Sequence, residues 1–159
     1  YWRESLQIYE RLMKEDYEFE QKGMIRYWAG LNLWHMDEKE KALEYLMDSP
    51  IPDDDLKTLS EILFARADSL ASAERYREAV DSYLHMIVFY PFVNKNEPRA
   101  LLGIIPNYAQ MEEWDAAIKS LDALKRDYPD APETKEAEEW LSAYAEELEK
   151  EKQFQVPAQ

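Results

Sequence analysis

Tyr76-Arg77-Glu78-Ala79-Val80-Asp81-Ser82-Tyr83 opens the stretch on which the fold turns, and it runs on through Met86 to Pro91. A large residue leads, a small one follows three places later, a second aromatic stands four beyond that, and proline closes the segment. The frame recurs at Trp2-x-x-Ser5, Lys39-x-x-Ala42 and Trp114-x-x-Ala117. Its small residues lie 37, 37 and 38 positions apart, and the closing prolines Pro91 and Pro129 are again 38 apart. The second aromatic is Tyr9 or Tyr83 and gives way to Leu46 and Leu121 in the other copies. A period of this length marks stacked copies of one supersecondary unit.

A small residue at a fixed place has a physical reason. Two antiparallel helices joined by a short turn approach closely only where one side chain is nearly absent. Twelve residues upstream of Ala42, Ala79 and Ala117, on the facing helix, stand Gly30, Ala67 and Ile105. Apolar spacing is helical almost throughout, as in Leu56, Leu59, Leu63, Ala67, Leu70 and in Ala137, Leu141, Tyr144, Ala145, Leu148. The chain has three glycines, where an average composition would supply roughly eleven, which argues against hairpin-rich sheets and phosphate-cradling loops. The fold class is therefore all-α. Punctuation falls at Ser49-Pro50-Ile51-Pro52, at Tyr90-Pro91 with Asn94 to Pro98, and at Tyr128-Pro129-Asp130-Ala131-Pro132. Asp53-Asp54-Asp55 ahead of Leu56 reads as a helix cap rather than a cation cluster.

The 159 residues carry 34 acidic and 19 basic side chains, a formal charge of −15. Such a surface repels a phosphate backbone and an anionic lipid leaflet, so neither nucleic acid nor a membrane surface is an expected partner. No apolar run approaches the ~18 residues of a membrane span, so no direct membrane insertion is expected. Hydrophobic residues at 46% and aromatics at 13% provide ample core material. Cysteine is absent, which excludes disulfides, thiolate metal sites and a cysteine nucleophile. The histidines, His35 and His85, have no second ligand at metal spacing. Carboxylate pairs such as Glu112-Glu113 and Glu138-Glu139 point in different directions from a helix. A phosphate loop, a Gly-x-Ser-x-Gly elbow and an HExxH pair are all missing from the sequence. The chain thus reads as non-enzymatic, with no catalytic residue, metal or cofactor. Tyr1-Trp2-Arg3-Glu4 lacks an initiator methionine and starts in mid-pattern, which reads as a processed chain or a fragment of a longer one.

The order Ala67, Leu70, Tyr76, Ala79, Tyr83, Met86, Pro91 resembles the tetratricopeptide (TPR) repeat, and Tyr108, Trp114, Ala117, Leu121, Leu124, Pro129 resemble it nearly as well. The likeness covers about residues 2 to 129. It implies a right-handed α-solenoid of helical hairpins forming a single domain over 1–159. Its parts are a partial repeat at 1–20, repeats at 23–52, 56–91 and 98–129, and a capping helix at 132–152. Lys39 and Ser49 depart from the family pattern, and Pro106 implies a kink or an early turn in the first helix of its repeat. The capping helix holds eight acidic and three basic residues with one apolar stripe, which suits shielding the end of a stack.

The resemblance also implies a concave groove lined by first helices. By transfer its positions fall on Met24, Tyr27, Leu31, Trp34 and His35, on Glu61, Phe64, Asp68, Ala71 and Ser72, and on Arg99, Leu102, Ala109 and Gln110. The Lys, Asn and Arg residues with which chaperone-binding relatives clamp a carboxylate are replaced here by Tyr27, Leu31, Trp34, Phe64 and Asp68. An aromatic and apolar groove of this kind takes a protein partner or a hydrophobic peptide segment; equally, Tyr27, Leu31 and Trp34 could pack against a preceding repeat. The function implied is a non-catalytic protein–protein interaction scaffold. Alternatives are a helical enzyme or its regulatory domain using carboxylate acid/base chemistry, or a cytosolic co-chaperone. Tyr128-Pro129-Asp130-Ala131-Pro132-Glu133-Thr134-Lys135-Glu136-Ala137 resembles a joint of bacterial envelope TPR proteins, implying a periplasmic or cell-envelope location.

Overall fold

The computed structural model describes residues 1–15, 17–47, 49, 55–90 and 96–154. Among them are eight α-helices and no strand. They are α1 (Trp2–Leu12), α2 (Phe19–His35), α3 (Lys39–Leu46), α4 (Leu56–Ser72), α5 (Tyr76–Phe89), α6 (Asn96–Gln110), α7 (Trp114–Asp127) and α8 (Pro132–Phe154). Each helix packs on the next in sequence, and α2, α4, α6 and α8 also touch one another in that order.

Trp2, Lys39, Tyr76 and Trp114 are each the first residue of a helix. Ahead of three of those helices lies one turn, made three times. Asp37, Glu74 and Glu112 have φ of 61°, 58° and 59°. Each donates its N–H three residues back, to Trp34, Ala71 and Ala109, at 3.0 Å. The next N–H, of Glu38, Arg75 or Glu113, reaches five residues back to Leu33, Leu70 or Tyr108 at 2.9 Å. That pair of bonds is the left-handed helix stop usually built on glycine, and it satisfies carbonyls the helix leaves orphaned. Here it carries non-glycine residues, at a steric cost that three buried hairpins offset.

Small residues close the hairpins. Ala42, Ala79 and Ala117 are all 0% exposed. Gly30 faces Leu46 and Tyr45, and Gly103 faces the ring of Tyr83. The buried apolar residues form three clusters strung along the chain, not one centre. Leu6, Tyr27, Leu31 and Leu46 anchor the first, Phe64, Val80, Tyr83 and Ile104 the second, and Ile105, Leu121, Leu124 and Ala137 the third. Such serial burial makes each unit depend on its neighbours.

Local chemistry sets the ends. Asp55 caps α4, accepting from the N–H groups of Lys57 at 3.1 Å and Thr58 at 3.2 Å and from the Thr58 hydroxyl at 2.5 Å. Asp53 and Asp54 lie outside the described residues. Arg66 donates to the carbonyl oxygens of Leu46 at 2.6 Å and Ser49 at 2.5 Å, satisfying the end of the short α3. Helix α2 starts at Phe19, ahead of the expected boundary at 23, where the Glu18 N–H is received by Gln21 Oε1 at 3.3 Å. The early turn expected at Pro106 does not form, and α6 runs through it to Gln110. Proline removes one backbone donor there, but buried Ile104, Ile105 and Ala109 hold the last turns in place.

Candidate functional site

Three helices meet at Asp68, and a fourth packs against the rings beside it. Its Oδ2 accepts the indole N–H of Trp34 at 3.0 Å, and its Oδ1 accepts the Tyr83 hydroxyl in a short hydrogen bond. Trp34 comes from α2, Asp68 from α4 and Tyr83 from α5. From α6, the Arg99 guanidinium stands 3.8 Å from the ring centre of Phe64 and 5.7 Å from that of Trp34. Phe64 and Tyr83 have ring centres 6.3 Å apart. A cation over two aromatic faces contributes roughly 0.5 to 2 kcal/mol per contact, the more so when partly desolvated.

The electrostatics make this a fastening, not an acid–base pair. Burial, reinforced by the Asp68 carboxylate, pushes the Tyr83 phenol far above its ordinary range, so it stays a hydrogen-bond donor. Both Asp68 oxygens hold donors supplied by the protein. The same carboxylate therefore ties α2, α4 and α5 together, while Arg99 of α6 lies over the neighbouring rings of Phe64 and Trp34.

The residues expected to line a groove divide by depth. Met24, at 51% exposure, and Arg99 reach solvent, while Trp34, Glu61, Asp68 and Leu102 are half-buried. Tyr27, Leu31 and Phe64 are 5%, 2% and 1% exposed. Tyr27 and Leu31 pack with Leu6 of α1 and with Ala29 and Leu33 of α2, and Phe64 lies between Tyr83 and Arg99. An open stripe of aromatic residues is therefore not what this face presents. Helical register gives the direction of a side chain, whereas depth depends on how closely the neighbouring helix approaches. Ala109 is buried, Ala71 half-buried, and Ser72 and Gln110 are exposed. His35 is exposed and stacks on Trp2, ring centres 4.3 Å apart. Tyr83, read from the sequence only as a position of the repeat frame, is a member of the cluster that the groove positions did not include. Its signal was a phenol where two of the other copies carry leucine, Leu46 and Leu121, because a buried hydroxyl needs a partner.

Other recesses lie away from Asp68. One of about 340 Å³ separates α7 from α8, and one of about 380 Å³ is bordered by Asn96, Glu97, Tyr128 and Glu133. In the latter, Tyr128 donates to Glu97 Oε2 at 2.6 Å, and that bond raises the phenol to about 12. Among the described residues no group of three His, Asp or Glu side chains could hold a metal ion. No described helix is long and apolar enough to cross a membrane. No protein-family model matches the chain, and no curated protein matches it in sequence.

Proposed function

We propose that the chain is a right-handed, TPR-like solenoid acting as a non-catalytic protein–protein interaction scaffold in a larger assembly, a bacterial envelope complex in particular. The recurrence of one hairpin carries this reading: the same left-handed turn at Asp37, Glu74 and Glu112, each followed five residues on by a fully buried alanine. Stacked units of this sort extend surface rather than enclose a reaction centre. The face shared by α2, α4 and α6 offers Met24, the edge of Trp34, Glu61 and Arg99 to an occupant. An apolar rim with one anionic and one cationic residue suits a hydrophobic protein segment carrying an acidic residue to meet Arg99 and a polar or basic one to meet Glu61. The envelope placement rests on the joint from Tyr128 to Ala137, in which the Thr134 hydroxyl donates to the Tyr128 carbonyl at 2.6 Å and Ala137 is buried.

Affinity capture from the source cell with this protein tests the reading. A co-purifying chain retained by the wild type and lost on Met24→Glu is the expected result, since Met24 is 51% exposed; Arg99→Glu, which also gives up the guanidinium's contact with Phe64, is expected to lose it too and is compared with the wild type below the melting transition of both. Equal retention by both variants would remove this face as the docking site. Turnover above background in a broad hydrolase screen would overturn the non-catalytic assignment.

A further inference from the structure

Residues 38 positions apart let one helix junction be compared with another. In the α5/α6 junction, Val80 and Tyr83 pack against Ala100 and Ile104, and the Tyr83 ring lies over Gly103. The corresponding residues of α7 and α8 are Ile118, Leu121, Glu138, Ser142 and Leu141. Glycine beneath a tyrosine ring has become leucine facing leucine, so the backbones stand apart. Ile118 is left 48% exposed where Val80 is 1% exposed. The result is the recess of about 340 Å³ walled by Trp114, Ile118, Leu121, Leu141 and Ala145. Lys125 and Glu138 bridge it at one end in an ion pair of 2.6 Å.

We propose that this cleft between α7 and α8 is a second docking site, taking an apolar side chain from a basic amphipathic helix of a protein partner. Its apolar stripe continues along α8 through Ala145 to Leu148, at helical spacing. Beside the stripe, Glu146 and Glu149 are exposed and engage no ion pair among the described residues. An apolar slot beside unpaired carboxylates is complementary to a helix bearing leucine on one face and lysine or arginine beside it. This site is separate from the face built on α2, α4 and α6, so either can fail without the other.

Titration calorimetry with two designed helical peptides tests the site: a Leu/Lys peptide and a Leu/Glu peptide with the same apolar positions. The Leu/Lys peptide is expected to bind, more weakly as salt rises. Ala145→Trp, which fills the cleft, and Ile118→Asn, which removes its apolar wall at an exposed position, are each expected to weaken binding about tenfold or more. Met24→Glu is expected to leave it unchanged. The proposal is overturned if the Leu/Lys peptide fails to bind, if the Leu/Glu peptide binds equally well, or if correctly folded Ile118→Asn binds as the wild type does.

Discussion

The Tyr83 ring lies so close over Gly103 that a β-carbon added there would stand 2.5 Å from the phenol Cζ. Tyr83 cannot swing aside freely, because its hydroxyl is bound to Asp68. Gly103→Ala gains about 1 kcal/mol of helix propensity and loses about 1 to 3 kcal/mol to overpacking. The expected result is a lower melting temperature. In a Tyr83→Leu background the obstruction is gone, so the same substitution becomes stabilising. A cycle of the four proteins measures the coupling, and independent effects would show that the ring does not set the α5/α6 distance.

Asp68→Ala strands the Trp34 indole N–H and the Tyr83 hydroxyl at once. Each lost partner of a charged acceptor corresponds to about 1.5 to 3 kcal/mol, reduced where water reaches the site, so a loss of about 2 to 4 kcal/mol is expected by urea denaturation. Trp34→Phe removes one donor without stranding the carboxylate completely and is expected to lose less. Equal losses would mean that packing, not the hydrogen bonds, dominates here.

Phe64→Ala opens a cavity beneath Arg99 and is expected to destabilise the protein by about 3 to 5 kcal/mol. Trp34→Ala, at a half-buried position, loses less. Ala79→Leu tests the same interior from the opposite direction, with about 1 to 3 kcal/mol lost to overpacking. Unchanged thermal midpoints for Phe64→Ala and Ala79→Leu would contradict the burial of both side chains.

Glu74 and Glu112 pay the steric penalty of a left-handed backbone, roughly 1 to 2 kcal/mol in an L-residue. Glycine removes it but adds about 0.4 to 1 kcal/mol of unfolded-state entropy. Glu74→Gly and Glu112→Gly are each expected to stabilise the chain by about 0.5 to 1 kcal/mol, additively because the turns share no partner. A fall in the urea midpoint in either variant would sink the turn assignment.

The Asp55 carboxylate is held below its ordinary range, chiefly by the Thr58 hydroxyl and then by the Thr58 backbone N–H. A depressed folded pKa stabilises above the unfolded value of about 3.9 and loses that stabilisation as pH falls through the folded value. The melting-temperature gap between wild type and Asp55→Ala is therefore expected to be full at pH 7 and to close below about pH 4. A gap independent of pH would show that the charged cap contributes nothing.

Local chemistry and periodicity were legible in the chain itself. Helical spacing, three glycines and the recurring small residue were enough to expect all-α pairs, and the recurring frame beginning at Trp2, Lys39, Tyr76 and Trp114 coincides with four helix starts, because burial at a helix crossing demands a small side chain wherever it happens. Three-dimensional packing decided the rest. Pro106 was absorbed into α6 because neighbouring apolar residues hold the helix beyond it. Phe64 and Tyr27 share the direction of Met24 along their helices yet lie at a different depth, since depth is set by the approach of another helix. The partnership of Asp68 with Trp34 and Tyr83 joins residues up to 34 positions apart, and the cleft at Leu141 exists only because α8 meets Leu121 rather than a ring over glycine. Sequence period states which residues repeat, but the distance between two helices is a property of the side chains that meet between them.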